Sequence, residues 1–353
     1  MARRRSVKTE NEKTESMKIN TKHLIDALTK VKPGLANKEL IEQSTHFIFD
    51  NNKVWTYNDR ITIMQHFESG LVGAIEANSF YKLLGKIPDE EISMTCEEGK
   101  VKLNGKKIKA NIKIDPNIKI QPIPVPGINS KQWEELPDNF DDAIAFSAFS
   151  ASHNMIRPEL TCLFVKDGFC IGCDTFRGTK YKLSSKLEQA FLLPASAAVY
   201  LAKYNPYKIL VDNEGGWLHF INKEKTTFSC RTYSGEEYPE QIWNFFEVEG
   251  EEIVLPEDFI DAVSRAEVLL TADFDLDRIV TLTIENNEIV CASQGDYGDF
   301  EEMAEIKYDG DKLEINVHPI LLAEILKHLQ TVIIGDRLLF KGENFVHGIC
   351  LSC

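Results

Sequence analysis

Two pairs of cysteines have the spacing of metal ligands. Cys170 and Cys173 form one Cys-x-x-Cys pair, and Cys350 and Cys353 form the other. Four thiolates in two such pairs can bind one zinc ion in a tetrahedral site. Each pair lies in a stretch that predicts a β-strand, however, and residues three apart on a strand point to opposite faces. This geometry favours small buried cysteines over a zinc site, and we expect no metal.

Charged residues offer two further candidate sites. Asp174 and Arg177 stand three apart at the end of a strand-like run, where an acid and a base favour an ion pair that fixes a turn. Asp273, Asp275 and Asp277 alternate and could hold a hard cation, but a solvated strand edge is the better interpretation. The sequence contains no motif of a nucleophilic, phosphate-binding, zinc-protease or dinucleotide-binding enzyme. We therefore expect no catalytic residues and no cofactor.

The elements that carry these residues repeat along the chain. An amphipathic helix is followed by short alternating strands joined by Asn, Gly or Asp turns, and this unit recurs six times. The six predicted helices begin near residues 21, 78, 141, 195, 256 and 319. Every second helix recurs after about 115 to 125 residues, which is the length of a domain. The sequence predicts an α+β protein of three similar domains, each with two helix-plus-antiparallel-strand half-units.

The predicted domains begin after a polar extension. Residues 1–16 contain too few apolar side chains to order themselves, and Arg3–Arg5 fit a plain disordered tail better than a DNA-binding arm. A proline-rich stretch near residue 121 and an acidic one near residue 250 separate the domains. The predicted domains are 17–133, 134–247 and 248–353.

Composition sets further limits. The 353 residues are 43% hydrophobic and 27% charged, which is typical of soluble globular proteins. No apolar run is long enough to span a membrane, and the eight cysteines are scattered, so we expect a cytoplasmic protein with reduced thiols. The net charge of -15 argues against a surface coated for nucleic-acid binding. It does not exclude a local basic surface, because phosphate contacts depend on where the basic residues lie and not on their sum.

The stretch around the first cysteine pair resembles a signature of the bacterial-type DNA polymerase sliding clamps, or β clamps. In that family an Arg-Pro precedes two strands that end in a Thr-Asp-Gly-His-Arg-Leu turn. Here Arg157-Pro158 precedes strands that end in Cys173-Asp174-Thr175-Phe176-Arg177-Gly178. Phe176 and Gly178 thus replace the His and Leu of the family's turn.

Three later stretches also resemble the family, in the same order. Residues 234–243 match the end of its second domain, 259–269 match the first helix of its third, and 301–326 match a Glu-rich strand with the helix after it. Ile320-Leu321 replaces the family's Tyr-Leu at the start of that helix, and the C-terminal sequence differs. The resemblance covers about residues 17 to 353.

The resemblance implies a DNA clamp fold assembled as a head-to-tail dimeric ring. Six domains from two copies would surround double-stranded DNA, with helices lining the hole and sheets outside. Such a ring would catalyse no reaction and would bind DNA without recognising its base sequence. It would tether a DNA polymerase to DNA in the cytoplasm, and polymerase and clamp loader would bind through short linear motifs.

Basic residues on the predicted helices are candidates for the DNA-facing surface. Lys82 and Lys86 are spaced i, i+4 on a polar helix face, and solvated faces would explain each basic residue singly. Together they favour a lining that contacts phosphates loosely and without sequence preference. The predicted DNA-facing residues are Lys22, Lys30, Lys82, Lys86, Lys203, Arg265 and Lys327.

The resemblance also implies a cleft for partner peptides beside the second-domain turn. Ordinary core packing is the alternative for its apolar members. We expect Gly178, where the family has Leu, to make the cleft locally wider. The predicted cleft residues are Thr175, Phe176, Arg177, Gly178, Phe246, Ile349 and Leu351.

Two other functions stay open at this point. One is a clamp-fold interaction module that does not close into a ring. The other is a zinc-binding repeat protein that uses both cysteine pairs.

Overall fold

The computed structural model describes residues 16–97, 99–127, 129–233, 238–270 and 278–352. This part of the chain contains seven α-helices: α1 (Thr21–Val31), α2 (Ala77–Leu84), α3 (Phe140–Ala148), α4 (Ala195–Leu201), α5 (Ile242–Phe245), α6 (Phe259–Val268) and α7 (Pro319–Leu326). The first twelve strands are β1 (Met17–Asn20), β2 (His46–Asp50), β3 (Lys53–Tyr57), β4 (Ile61–His66), β5 (Val72–Glu76), β6 (Glu91–Glu97), β7 (Lys100–Asn104), β8 (Lys109–Lys113), β9 (Glu134–Glu135), β10 (Cys162–Lys166), β11 (Phe169–Cys173) and β12 (Arg177–Lys182). The remaining strands are β13 (Phe191–Pro194), β14 (Pro206–Asp212), β15 (Trp217–Asn222), β16 (Thr227–Arg231), β17 (Glu251–Val254), β18 (Val280–Glu285), β19 (Glu288–Gly295), β20 (Gly298–Glu305), β21 (Leu313–Val317), β22 (Thr331–Ile334), β23 (Arg337–Lys341) and β24 (Phe345–Cys350).

The predicted α+β class is confirmed. Helices α1, α2, α3, α4, α6 and α7 are the six predicted ones, and the short α5 was not predicted. In α1 the buried residues Leu24, Leu28 and Val31 recur every three or four positions and pack toward the sheet, while Asn20 caps its first turn. None of the described helices combines the length and apolarity needed to cross a membrane.

By its internal contacts the chain divides into two compact units. Unit 1 runs to Trp133 and also includes Lys208–Asp212 and Trp217–Arg231, and unit 2 holds the rest. The cause is strand pairing across the predicted boundaries, because β4 pairs with β16 inside unit 1 and β12 pairs with β24 inside unit 2. The division into three domains, with bounds at 133 and 247, stays a prediction.

Unit 1 is built on two antiparallel sheets. Strands β1-β6-β7-β8 form a four-stranded sheet, and a larger sheet contains the order β5-β2-β3-β4-β16-β15-β14. Helices α1 and α2 pack against each other, and α1 also packs on β3 and β4. Aromatic side chains of the larger sheet, such as Phe47, Phe49 and Trp55, are fully buried.

Unit 2 repeats this plan. Its eight-stranded sheet has the order β13-β10-β11-β12-β24-β23-β22-β17, and a four-stranded sheet has the order β20-β19-β18-β21. Helix α3 packs on α4, and α6 packs on α7. The hairpins β2–β3, β10–β11 and β18–β19 all turn at a residue with positive φ, at Asn51, Asp167 and Asn286. Asn and Asp tolerate this conformation, which explains why the turn residues recur with the repeat.

Two histidines are buried in the sheets. His347 Nδ1 lies 2.8 Å from Thr179 Oγ1, and its ring stacks on Phe149. Burial is the main cause, and the nearby Arg177 charge a smaller one, of a His347 pKa lowered to about 3. His219 Nδ1 lies 2.7 Å from Ser229 Oγ, and burial lowers the pKa of His219 to about 4. Both rings are therefore neutral at pH 7.

We predict that the free energy of unfolding falls with acidification below about pH 6.5. Between the unfolded and folded pKa values the unfolded chain binds the additional proton, so each histidine contributes a loss of up to ~1.4 kcal/mol per pH unit. The loss for His347 continues down to its folded pKa of about 3. Urea unfolding at a series of pH values measures this slope.

His347→Asn keeps a polar group near Nδ1 and removes the titration. We expect this variant to be less stable at pH 7 and to have a shallower pH slope. His66→Asn, at an exposed histidine, is the matched control and should keep the wild-type slope. An unchanged slope in His347→Asn would contradict the assignment.

Candidate functional site

The turn between β11 and β12 is fixed by one carboxylate. Asp174 Oδ1 accepts the backbone N–H groups of Phe176 at 2.8 Å and Arg177 at 2.9 Å. Asp174 N donates to Arg177 O at 3.1 Å. The expected ion pair is also present, with Arg177 Nε 3.2 Å from Asp174 Oδ2. The turn is therefore rigid without any contribution from a ligand.

Unit 1 contains the same turn. Asn58 Oδ1 accepts from the backbone N–H groups of Arg60 and Ile61, and Asn58 N donates to Ile61 O at 3.1 Å. Arg231 N donates to Arg60 O at 2.8 Å. In unit 2, Cys350 N donates to Phe176 O, also at 2.8 Å. The two units thus share a turn followed by an antiparallel strand pair, which is the predicted repeat at the level of hydrogen bonds.

The strand pair β12–β24 has two different faces. Arg177 and Ile349 are register partners on the helix side, where Ile349 is fully buried in the core around α6 and α7. Arg177 donates to Glu324 of α7, and its guanidinium lies 5.4 Å from the centre of the Phe149 ring. Because side chains alternate along a strand, the next partners, Gly178 and Gly348, face the opposite side.

Two phenylalanines cover this glycine pair. A Cβ atom at Gly178 would lie 3.2 Å from Phe246 Cζ and 3.3 Å from Phe245 Cε1. A Cβ atom at Gly348 would lie only 2.5 Å from Phe245 Cε1. The expectation that Gly178 widens the cleft is wrong, because the space a leucine would take is filled by the two rings.

The seven predicted cleft residues fall into three environments. Thr175 and Phe176 are exposed at the turn, with Phe176 at 40%. Gly178 and Phe246 are in contact on the outer face. On the helix side lie Arg177, Ile349 and the half-buried Leu351. The structure does not bring all seven together in one open cleft, because the parity of the strands divides them between two faces.

Sequence reasoning missed Phe245, Gly348, Lys180 and Arg337. Lys180 Nζ lies 5.0 Å from the centre of the Phe246 ring, and Arg337 Cζ lies 5.0 Å from that of Phe245. Burial lowers the pKa of Lys180, and Glu247 opposes this shift. The available signal was the pair of glycines inside strands, which marks a close approach of other atoms.

The first cysteine pair is buried and divided between the faces. Ser147 of α3 hydrogen-bonds to Cys170 O on the helix side, whereas Cys173 Sγ lies 3.0 Å from the Tyr238 hydroxyl in the outer aromatic cluster. Burial raises the pKa of Cys170 to about 12 and that of Cys173 to about 11.

Other candidate metal ligands lie partly beyond the described chain. Cys353, Asp273, Asp275 and Asp277 are outside the described residues, as are the N-terminal arginines Arg3–Arg5. Among the residues that are described, no group of three or more His, Cys, Asp or Glu side chains could hold a metal ion.

The predicted DNA-facing residues lie on helices or directly after them. Lys22 and Lys30 are on α1, Lys82 is on α2, and Arg265 is on α6. The other three follow the ends of α2, α4 and α7; they are Lys86, Lys203 and Lys327. All seven are exposed except Lys30, which is half-buried.

Two of these cations pair with acids. Lys30 pairs with Glu224 in unit 1. Arg265 binds Glu302 through two hydrogen bonds of 2.8 and 2.6 Å in unit 2. These carboxylates offset part of the positive charge of Lys30 and Arg265, so the other five predicted residues stay the better candidates for phosphate contacts.

The chain matches no protein-family model and no curated protein sequence. Comparison with solved structures gives a different result. The beta subunit from DNA polymerase of Streptococcus pyogenes superposes with a TM-score of 0.82 at 21% identity, over 96% of this chain and 100% of that one. This chain has the DNA sliding-clamp fold.

Two other structures agree with this fold. The DNA polymerase III subunit beta from Pseudomonas aeruginosa gives a TM-score of 0.81 at 15% identity, over 96% of this chain and 100% of that one. The DNA polymerase sliding clamp from Bacillus subtilis gives 0.81 at 17% identity, over 96% and 99%. The sliding-clamp fold therefore extends over nearly the whole chain.

We predict that Gly348→Ala lowers stability because its methyl group would overlap the Phe245 ring. Overpacking of this kind costs about 1 to 3 kcal/mol. Phe245→Ala removes the overlap, so the double variant should be about as stable as Phe245→Ala alone. A double-mutant cycle by urea unfolding measures the coupling, and additive effects would show that the ring does not rest on Gly348.

Proposed function

We propose that this chain is a DNA sliding clamp: two copies close head to tail into a ring around duplex DNA and tether a DNA polymerase. The observation that carries the proposal is the match of nearly the whole chain to solved clamps at TM-scores of 0.81 to 0.82. A ring that holds DNA by topology needs neither catalytic groups nor base contacts, and the basic residues near the helices suit loose contacts with phosphate.

The free edges of the two four-stranded sheets support ring closure. Strand β8 ends the sheet of unit 1, and its exposed side chains are Lys109, Asn111 and Lys113. Lys106 and Lys107 precede it. An edge strand presents unpaired backbone N–H and C=O groups that can pair with another strand. Strand β8 is therefore a positively charged edge to which a strand of another copy can pair.

One edge strand of the four-stranded sheet in unit 2 has the opposite charge. Strand β20 ends the other four-stranded sheet, and its exposed side chains are Asp299, Glu301, Met303 and Glu305. A basic edge on one copy and an acidic edge on the next form a heterologous contact, and two such contacts close a two-membered ring. The charge pattern also disfavours pairing of like edges.

The proposed clamp works in the cytoplasm with replicating DNA. The polymerase and a clamp loader would bind it through short linear motifs near the 174–178 turn. The exposed Phe176 is the apolar group of that turn that solvent reaches most directly. Exchange among such partners requires moderate affinity, which one or two buried anchors supply.

A charge-swap series tests ring closure. We expect wild type to have a native mass near twice 40.1 kDa. Lys109→Glu with Lys113→Glu should give monomers, because both edges are then acidic, and Glu301→Lys with Glu305→Lys should do the same. The chain that carries all four changes should regain the dimer, since the charges are complementary again.

Native mass spectrometry, or sedimentation at low salt, measures these states. Monomeric wild-type protein at micromolar concentration would favour an interaction module without ring closure. Dimers in both double variants would show that the charged edges do not form the contact.

Phe176 gives a separate test of partner binding. Phe176→Ala removes the ring of the turn, which is 40% exposed. We expect it to reduce stimulation of the cognate polymerase at least tenfold and to leave the dimer mass unchanged. Val72→Ala, at a valine of similar exposure in unit 1, is the control. Normal stimulation by Phe176→Ala would place the partner surface elsewhere.

A further inference from the structure

A short aromatic segment lies on the outer face of unit 2. Helix α5 spans Ile242–Phe245, and together with the next residue it presents Trp243, Phe245 and Phe246 within one turn. Asn244 and Glu247 of the same segment are exposed, Phe245 is half-buried, and Phe246 is 6% exposed. The segment thus runs along the surface with Asn244 exposed, while Ile242 and Phe246 belong to the buried aromatic cluster of unit 2.

Each aromatic ring of the segment packs against residues of the sheet. Trp243 meets Phe169 edge to face, with 5.8 Å between ring centres. Phe245 stands over Gly348 and also borders Gly178, and Phe246 stands over Gly178. Short peptides bind protein surfaces in the same way, through side chains that fit defined positions.

Two cations complete the binding surface. Arg337 Nη1 donates to Phe245 O at 3.2 Å, and its guanidinium lies over the Phe245 ring. Lys180 lies over the Phe246 ring and also feels the charge of Glu247. The surface formed by Gly178, Gly348, Lys180 and Arg337 therefore recognises adjacent aromatic residues followed by an acid. We call it the glycine surface.

Unit 1 shows what the same position looks like without glycines. In unit 1 the positions that correspond to Gly178 and Gly348 are occupied by the register partners Thr62 and Ser229. Their side chains line a small cavity together with Trp55. Pro122, Ile123 and Val125 of a neighbouring extended segment line the same cavity. The repeat thus keeps a covering segment in both units, but only the glycines of unit 2 let aromatic rings approach the backbone.

We propose that residues Ile242–Phe246 are a tethered ligand of the glycine surface, and that partner peptides with two adjacent aromatic residues and a following acid bind there by displacing them. The proposal rests on the proposed function, in which partners bind beside the 174–178 turn. A tethered segment competes at a high effective concentration, so only partners that bind the glycine surface well exchange with it. The segment makes the site selective.

The test supplies the segment in trans. A fluorescein-labelled synthetic peptide of residues 240–249 is titrated into wild-type protein and into Phe245→Ala, with fluorescence anisotropy as the readout. We expect the peptide to bind Phe245→Ala at least tenfold more tightly, because that chain has lost its own anchor. The same peptide with both phenylalanines replaced by alanine should not bind.

Two controls separate binding from loss of fold. Phe164→Ala changes another half-buried ring of the same aromatic cluster but uncovers no glycine, so it should bind the peptide no better than wild type. Thermal unfolding checks that each variant is folded. In addition, Gly348→Ala combined with Phe245→Ala should lose the peptide, because the added methyl group fills the uncovered floor.

Two results would overturn the proposal. One is equal affinity of the peptide for wild type and Phe245→Ala. The other is no binding to folded Phe245→Ala at millimolar peptide. Neither measurement involves DNA or the contact between copies, so failure here is distinguishable from failure of the proposed clamp function.

Discussion

The antiparallel pairing of β12 with β24 is the constraint on which the rest of unit 2 depends. This pairing joins residues 177–182 to residues 345–350 across most of the length of the unit. It brings the 174–178 turn beside the C-terminal strand and aligns Gly178 with Gly348. It also buries His347 against Thr179, so the stability of this strand pair depends on pH. A slip of one residue would exchange the two faces and remove both the glycine surface and the Arg177–Glu324 contact.

Charge is distributed unevenly on an acidic chain, and this distribution is what the proposed function requires. Basic residues collect near the helices and on the edge strand β8, whereas β20 carries carboxylates. Surface ion pairs are individually weak and sensitive to salt. A ring closed partly by such edges can therefore open without unfolding its domains, and a DNA lining of scattered lysines permits sliding.

Much of the fold could be predicted from the sequence. The 3.6-residue periodicity located six helices, and the Asn, Asp and Gly turns marked the hairpins that the structure repeats. The proposed partner surface was harder to predict, because it depends on the register of the strands. Ile349 and Gly178 were assigned to one cleft, although strand parity places the Ile349 side chain on one face and the open space above Gly178 on the other. Phe245 was missed because its contact is with Gly348, which lies far from it in the sequence. The charges of β8 and β20 could not be interpreted before the sheet order showed that both are edge strands.

The most direct test of the account is retention on DNA that has no ends. The proposed dimer is exposed to about 1 M salt, where the Debye length is about 3 Å, to open it. It is then returned to low salt with covalently closed plasmid, so that the proposed rings can form around the duplex. Gel filtration should then show the protein with the plasmid, and a single restriction cut should release it. The variant Lys109→Glu with Lys113→Glu should not be retained. Equal retention before and after the cut would contradict a topological link, and so would tight binding to short linear duplexes.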